Sequence, residues 1–112
     1  MSDDRLPTEL WVTAHIRKCD AQNIPIYVIQ KGEANSGTVM VKVVISMRAC
    51  KLFTQARDMD GLLGWMNAFE AETVTEQEAD QYISQTKQYD PDIWIIEVES
   101  ADGINPFDGD VL

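Results

Sequence analysis

Between residues 38 and 47 apolar side chains fall on alternate positions: Val39, Val41, Val43 and Ile45, separated by Met40, Lys42, Val44 and Ser46. This period of two predicts a strand whose Val/Ile face enters the core. Residues 25–31, rich in β-branched and aromatic side chains, read as an earlier strand, and residues 32–37 as a loop. Arg48 and Ala49 make a tight turn into a half-buried strand over 50–56. Asp58, Asp60 and Gly61 mark another turn before a strand over 62–69. Ile93-Trp94-Ile95-Ile96 is apolar on both faces, which predicts a central place in the sheet.

Two segments follow a different pattern. Thr75 and Glu78 have the spacing of a capping box. Glu76, Glu78 and Asp80 then load the first turn of a helix, and Lys87 lies near its end, as the helix dipole favours. Asp90 precedes Pro91, which disfavours the α conformation and stops the helix. Residues 10–22 admit two readings. A helix groups Leu10, Ala14, Ile16 and Cys19, whereas a strand alternates Leu10, Val12, Ala14 and Ile16 with Trp11, Thr13, His15 and Arg17. The length favours helix for the second half at least, ended by Asn23 and Pro25.

The predicted order is therefore α-β-β-β-β-α-β. It defines an α+β domain: a mainly antiparallel sheet of about five strands, with two helices packed on one face. Residues 1–99 form this single domain. Residues 100–112 are small, acidic and turn-rich, and are expected to be a mobile tail.

Particular residues carry a family resemblance. These are Leu10-Trp11-Val12 before Arg17-Lys18, the Lys31-Gly32, Gly37 and Val41-Lys42 pattern, and Gln55-Ala56-Arg57 before Trp65. With Glu78-Ala79-Asp80-Gln81-Tyr82-Ile83 and the stretch from Asp90-Pro91-Asp92-Ile93-Trp94 to Glu99, they resemble the small bacterial family called domain of unknown function 1491. The likeness runs over roughly residues 5–100, and its most specific part is Asp-Pro-Asp-x-Trp. It implies a single-domain bacterial protein and supplies no activity, cofactor or partner.

Composition narrows the function classes. The formal charge of -10 and pI near 4.3 argue against nucleic-acid binding, which needs clustered Lys and Arg, and against an acidic membrane surface. Cys19 and Cys50 stand far apart with no metal-ligand spacing, so two reduced thiols are expected. The acidic start, Met1-Ser2-Asp3-Asp4-Arg5, lacks the apolar run of a signal peptide, and a cytoplasmic protein is expected.

Most candidate chemistry has a plainer explanation. Asp90, Asp92, Glu97, Glu99 and Asp102 are dense in carboxylate, and Glu97 and Glu99 share one strand face. Asp92 and Glu99, however, lie some 20 Å apart along a strand, too far to share an ion. His15 is the only histidine, and as a base or ligand it needs a partner that the sequence does not identify. Gly32 and Gly37 have the outer spacing of a phosphate loop, but Thr38 stands where that motif requires Lys. Asp58, Asp60 and Gly61 match only part of a calcium loop. Arg17, Lys18, Lys31, Lys42, Arg48, Lys51 and Arg57 would form a strip if they gathered on one sheet edge; lysines that guard an edge strand are the alternative.

No catalytic, cofactor or metal residue emerges, and the chain reads as a non-catalytic protein-interaction module. Its expected partner is another protein or a second copy, with no nucleic acid and no membrane. The surface to inspect comprises Trp11, His15, Arg57, Trp65, Glu97 and Glu99. The alternative is a metal-dependent hydrolase using Glu97 and Glu99 with His15 or Asp58.

Overall fold

The computed structural model describes residues 6–112; the acidic start at residues 1–5 lies outside them. The elements are α1 (Thr8–Ala21), β1 (Ile26–Gln30), β2 (Val39–Ser46), β3 (Ala49–Arg57), β4 (Leu63–Asn67), α2 (Glu76–Tyr89), β5 (Trp94–Glu99) and β6 (Asp110–Val111). The strands form one sheet in the order β1-β5-β2-β3-β4-β6. The α+β class and two helices stand as expected, but the sheet has six strands and is mixed. β2 pairs parallel with β5, and β4 parallel with β6, while the remaining pairs are antiparallel.

Alternation along the central strands explains where the helices go. Val39, Val41, Val43, Trp94, Ile96 and Val98 point to one side and bury with Val12 of α1. Met40, Leu52 and Ile95 point to the other side and bury with Ile83 of α2. The helices thus cover opposite faces, correcting the expectation that both lie on one. A strand sandwiched between two helices has no polar face, which accounts for the continuous apolar run at β5. β1 and β2 follow one another in the chain but are not neighbours in the sheet: β5 inserts between them, and Val41 faces Ile96 across the parallel pairing.

α1 is helical throughout, which settles the two readings of residues 10–22. Its buried stripe is Val12, His15 and Cys19, flanked by Trp11 and Ile16, whereas Leu10 and Ala14 face water. Its end is a Schellman turn, with Asn23 left-handed at φ 60° and Ile24 N donating to Cys19 O at 2.9 Å. α2 begins as read from sequence: Glu78 N donates to Thr75 Oγ1 at 3.1 Å, and Thr75 N donates to Glu78 Oε1 at 3.0 Å.

Residues 100–112, expected to be a mobile tail, lie against the domain in this structure. Phe107 is buried in the α1-side core, Trp65 Nε1 donates to Asp108 O at 3.0 Å, and β6 pairs with β4. A single large aromatic supplies the apolar surface that holds this acidic segment down. Among the described residues, no helix is long and apolar enough to cross a membrane.

Candidate functional site

A cleft of about 760 Å³ opens on the α1 side of the sheet, where the helix leaves the ends of β3 and β4 uncovered. It is lined by the first turn of α1 with Trp11, by the adjoining loop at 35–38, and by Gln55, Arg57 and Leu63 on the sheet. Gln55 and Arg57 share the face of Phe53, two and four positions earlier, so β-strand alternation directs all three toward the α1 side.

The loop wall is built by Glu33. Its carboxylate accepts from Asn35 N at 2.8 Å, from Ser36 N at 3.0 Å and from Ser36 Oγ at 3.0 Å. These bonds, the one from the Asn35 amide first, hold the Glu33 carboxyl below the usual carboxylate range. The same loop completes α1, whose first N–H groups have no helical partner. Thr8 N donates to Asn35 O at 3.1 Å, and Glu9 N to Ala34 O at 2.8 Å. Thr8 Oγ1 also donates to Gly37 O at 3.1 Å. Gln55 Oε1 accepts from Val39 N at 2.9 Å, and Arg57 Nη1 donates to Gly61 O at 2.8 Å, which fixes the sheet side of the cleft.

Of the residues singled out from sequence, the cleft brings together Trp11 and Arg57. Trp65 is fully buried beneath Trp11, its ring centroid 6.3 Å away at an interplanar angle of 30°. His15 is also buried, stacked on Phe107 at 5.0 Å and 10°. Its Nδ1 lies 2.8 Å from Trp11 O, so Nδ1 carries a proton. Its Nε2 lies 3.3 Å from Asp108 N and 3.2 Å from Asp108 Oδ2, so this histidine is a fastening for the C-terminal segment.

Glu97 and Glu99 stand on the α2 side of the sheet, across it from His15. Glu97 is committed to Lys42, whose Nζ lies 3.2 Å from Glu97 Oε1, 2.9 Å from Glu76 Oε2 and 2.7 Å from Asp80 Oδ1. Burial draws the Lys42 ammonium down, but the bonds to Asp80 and Glu76 and the field of Glu97 outweigh it and hold the group above the usual lysine range. Asp58, the other proposed ligand, spends its carboxylate on Asp60 N and Leu62 N in a turn. The set Glu97, Glu99, His15 and Asp58 is therefore not assembled, and among the described residues no three His, Cys, Asp or Glu side chains converge as metal ligands.

The basic strip does not form either. Lys42 is in a central strand at 3% exposure, Lys31 pairs with Glu9 at 2.8 Å, and Lys18 lies 3.6 Å from Asp108. Cys19 and Cys50 are both free and buried; Cys19 sits on α1, and Cys50 lies with Ala79 on the α2 side. Burial, ahead of neighbouring charges, raises both thiols. Sequence reading missed Glu33, Thr8 and Gln55 as builders of the cleft. Only Glu33 left a trace there, as an acidic residue before Asn35-Ser36, the composition of an anchored turn.

Fold and cleft together define a small α+β domain with an open lateral groove. The chain belongs to the family described as "Protein of unknown function (DUF1491)", which it matches over residues 6–108. The match extends past the roughly 5–100 expected from sequence and takes in Phe107 and Asp108. A crystal structure of a DUF1491 family protein from Caulobacter crescentus CB15 is similar at 33% identity and a TM-score of 0.84, covering 96% of this chain and 100% of that one. An NMR structure of a DUF1491 family protein from the same organism is 33% identical with a TM-score of 0.82, covering 96% of each chain. Protein Atu0922 from A. tumefaciens, at 22% identity, a TM-score of 0.70 and 86% of each chain, shares the fold. No curated protein matches the chain.

Proposed function

We propose that this protein is a non-catalytic interaction module whose α1-side cleft takes an extended peptide bearing a carboxylate. The observation that carries the reading is Trp11 and Arg57 lining one cleft. Tryptophan and arginine supply much of the binding energy at protein interfaces, the first by area and the second by bidentate pairing with carboxylates. The surrounding walls alternate apolar and polar: Pro7 and Leu63 offer contact area, while Thr8, Ser36 and Gln55 offer hydrogen bonds. In a chain of net charge -10, Arg57 places a cation beside the cleft's apolar wall, and it selects an acidic side chain or terminus there.

The test is selection of random peptides on the immobilised full chain, with recovered sequences then titrated against wild type and Arg57→Glu. Enriched peptides should carry Asp, Glu or a free C-terminus, and Arg57→Glu should weaken them at least tenfold. Trp11 fluorescence should change on binding. Peptides that bind Arg57→Glu as well as wild type would remove the cleft from the account, and so would a failure to enrich any sequence.

A further inference from the structure

The sheet has two edges. At one of them β4 is covered by the short β6, and at the other β1 is hydrogen-bonded only to β5. The successive residues Tyr27, Val28 and Ile29 of β1 are 49%, 44% and 54% exposed. Alternation puts Tyr27, which faces Glu97, on the α2 side and Val28, which faces Ile96, on the α1 side. The exposure therefore belongs to the strand edge as a whole, beyond the cover of either helix. A bare apolar edge is a template for another strand, and soluble proteins normally place charge along such an edge.

We infer that β1 pairs antiparallel with β1 of a second copy, joining the two sheets into one. Two features favour a second copy over an unrelated strand. Residues 23–30 carry no charged side chain, in a chain of net charge -10. Two equally acidic molecules repel over most approaches, and along this strand no like charges stand opposite one another. The sequence is also self-complementary about Val28. A two-fold axis through Val28, normal to the sheet, sets Tyr27 opposite Ile29 of the second copy, an aromatic against a β-branched residue. The same axis keeps both α1 helices on one face and both α2 helices on the other. Pro25 ahead of β1 and the bulge at Ile29, within it, keep the regular pairing to a few residues about Val28, so the dimer forms and dissociates with concentration. The interface lies at the sheet edge, apart from the cleft, and does not depend on the peptide reading.

Sedimentation of the full chain from low micromolar to near-millimolar concentration reads the equilibrium. Wild type should pass from monomer to dimer, and Val28→Lys should stay monomeric with an unchanged melting temperature. Because opposed residues in an antiparallel pair lie about 4.5–5.5 Å apart at Cα, within disulfide reach, Val28→Cys should give a covalent dimer under mild oxidation. Met59→Cys, at a fully exposed turn position, is the control and should cross-link far more slowly. Wild type that is monomeric at every concentration overturns the inference. So does a dimer retained by Val28→Lys, or a Val28→Cys variant that cross-links no faster than Met59→Cys.

Discussion

The indole Nε1 of Trp94 donates to the backbone carbonyl of Glu33 at 2.8 Å, which ties the first residue of β5 to the loop that walls the cleft. Glu33 N donates in turn to Asp92 O at 2.9 Å, so the loop is fastened to the start of β5 on both sides of one residue. The Asp-Pro-Asp-x-Trp segment is thus a foundation for the cleft, although none of its side chains lines it.

Gly32 makes that fastening possible. A Cβ there would strike Asp92 O, Trp94 Cδ1 and the backbone of Ile93. Gly32→Ala should destabilise the fold by about 2 kcal/mol and lower Tm by roughly 10 °C, because backbone must move to admit the methyl group. Thermal unfolding measures it; an unchanged Tm would show that the loop is free to step away from β5.

Glu33 gives the cleft wall a sensitivity to acid. Its carboxyl is held low by the Asn35 and Ser36 bonds, so its contribution is present above the ordinary carboxylate range and is lost as pH falls through the lower folded value. Amide exchange at Asn35 and Ser36, at matched intrinsic rates, should accelerate on acidification in wild type. In Glu33→Gln it should be fast already and change little with pH. The idea fails if the two proteins show the same pH response.

Lys42 should behave in the opposite sense. Its raised value means that its stabilisation is complete below the ordinary lysine range and disappears as pH climbs through the higher folded value. Lys42→Met leaves Glu76, Asp80 and Glu97 without their common cation and should cost about 3 kcal/mol, the lower end for a broken buried pair, because Glu76 and Asp80 reach water. Adding Glu97→Gln to Lys42→Met should restore part of the loss by relieving carboxylate repulsion. Chemical denaturation of the single and double variants decides this, and a double variant no more stable than the single one would contradict it.

Phe107→Ala should cost about 3 kcal/mol, since the ring is buried among Trp11, His15 and Trp65. Truncation after residue 100 should lower Tm at least as much, because it also removes β6 and the Asp108 contacts to His15 and Trp65. A truncated chain that melts like wild type would mean that the segment rests on the domain without supporting it.

The sequence by itself determined whatever depends on neighbours along the chain. The Thr75–Glu78 capping box, the stop before Pro91, the two-sided apolar strand at Ile93–Ile96 and the alternating strand at β2 all follow from spacing that local backbone geometry imposes. Trp11 and Arg57 were legible as residue types suited to binding, and family membership was legible in the Asp90–Trp94 segment. Tertiary structure decided the rest, because each remaining question turns on contacts between distant residues. Only docking showed that β5 separates β1 from β2, and that α1 and α2 take opposite faces. Periodicity left residues 10–16 open because His15 reads as polar; its burial against Phe107, far along the chain, completes the helical stripe. The same contact turns a segment with the composition of a tail into part of the core. Lys42 shows the limit most directly. On a strand it reads as an outward charge, and only α2 and β5, brought over it by the fold, supply the carboxylates that let an ammonium be buried there.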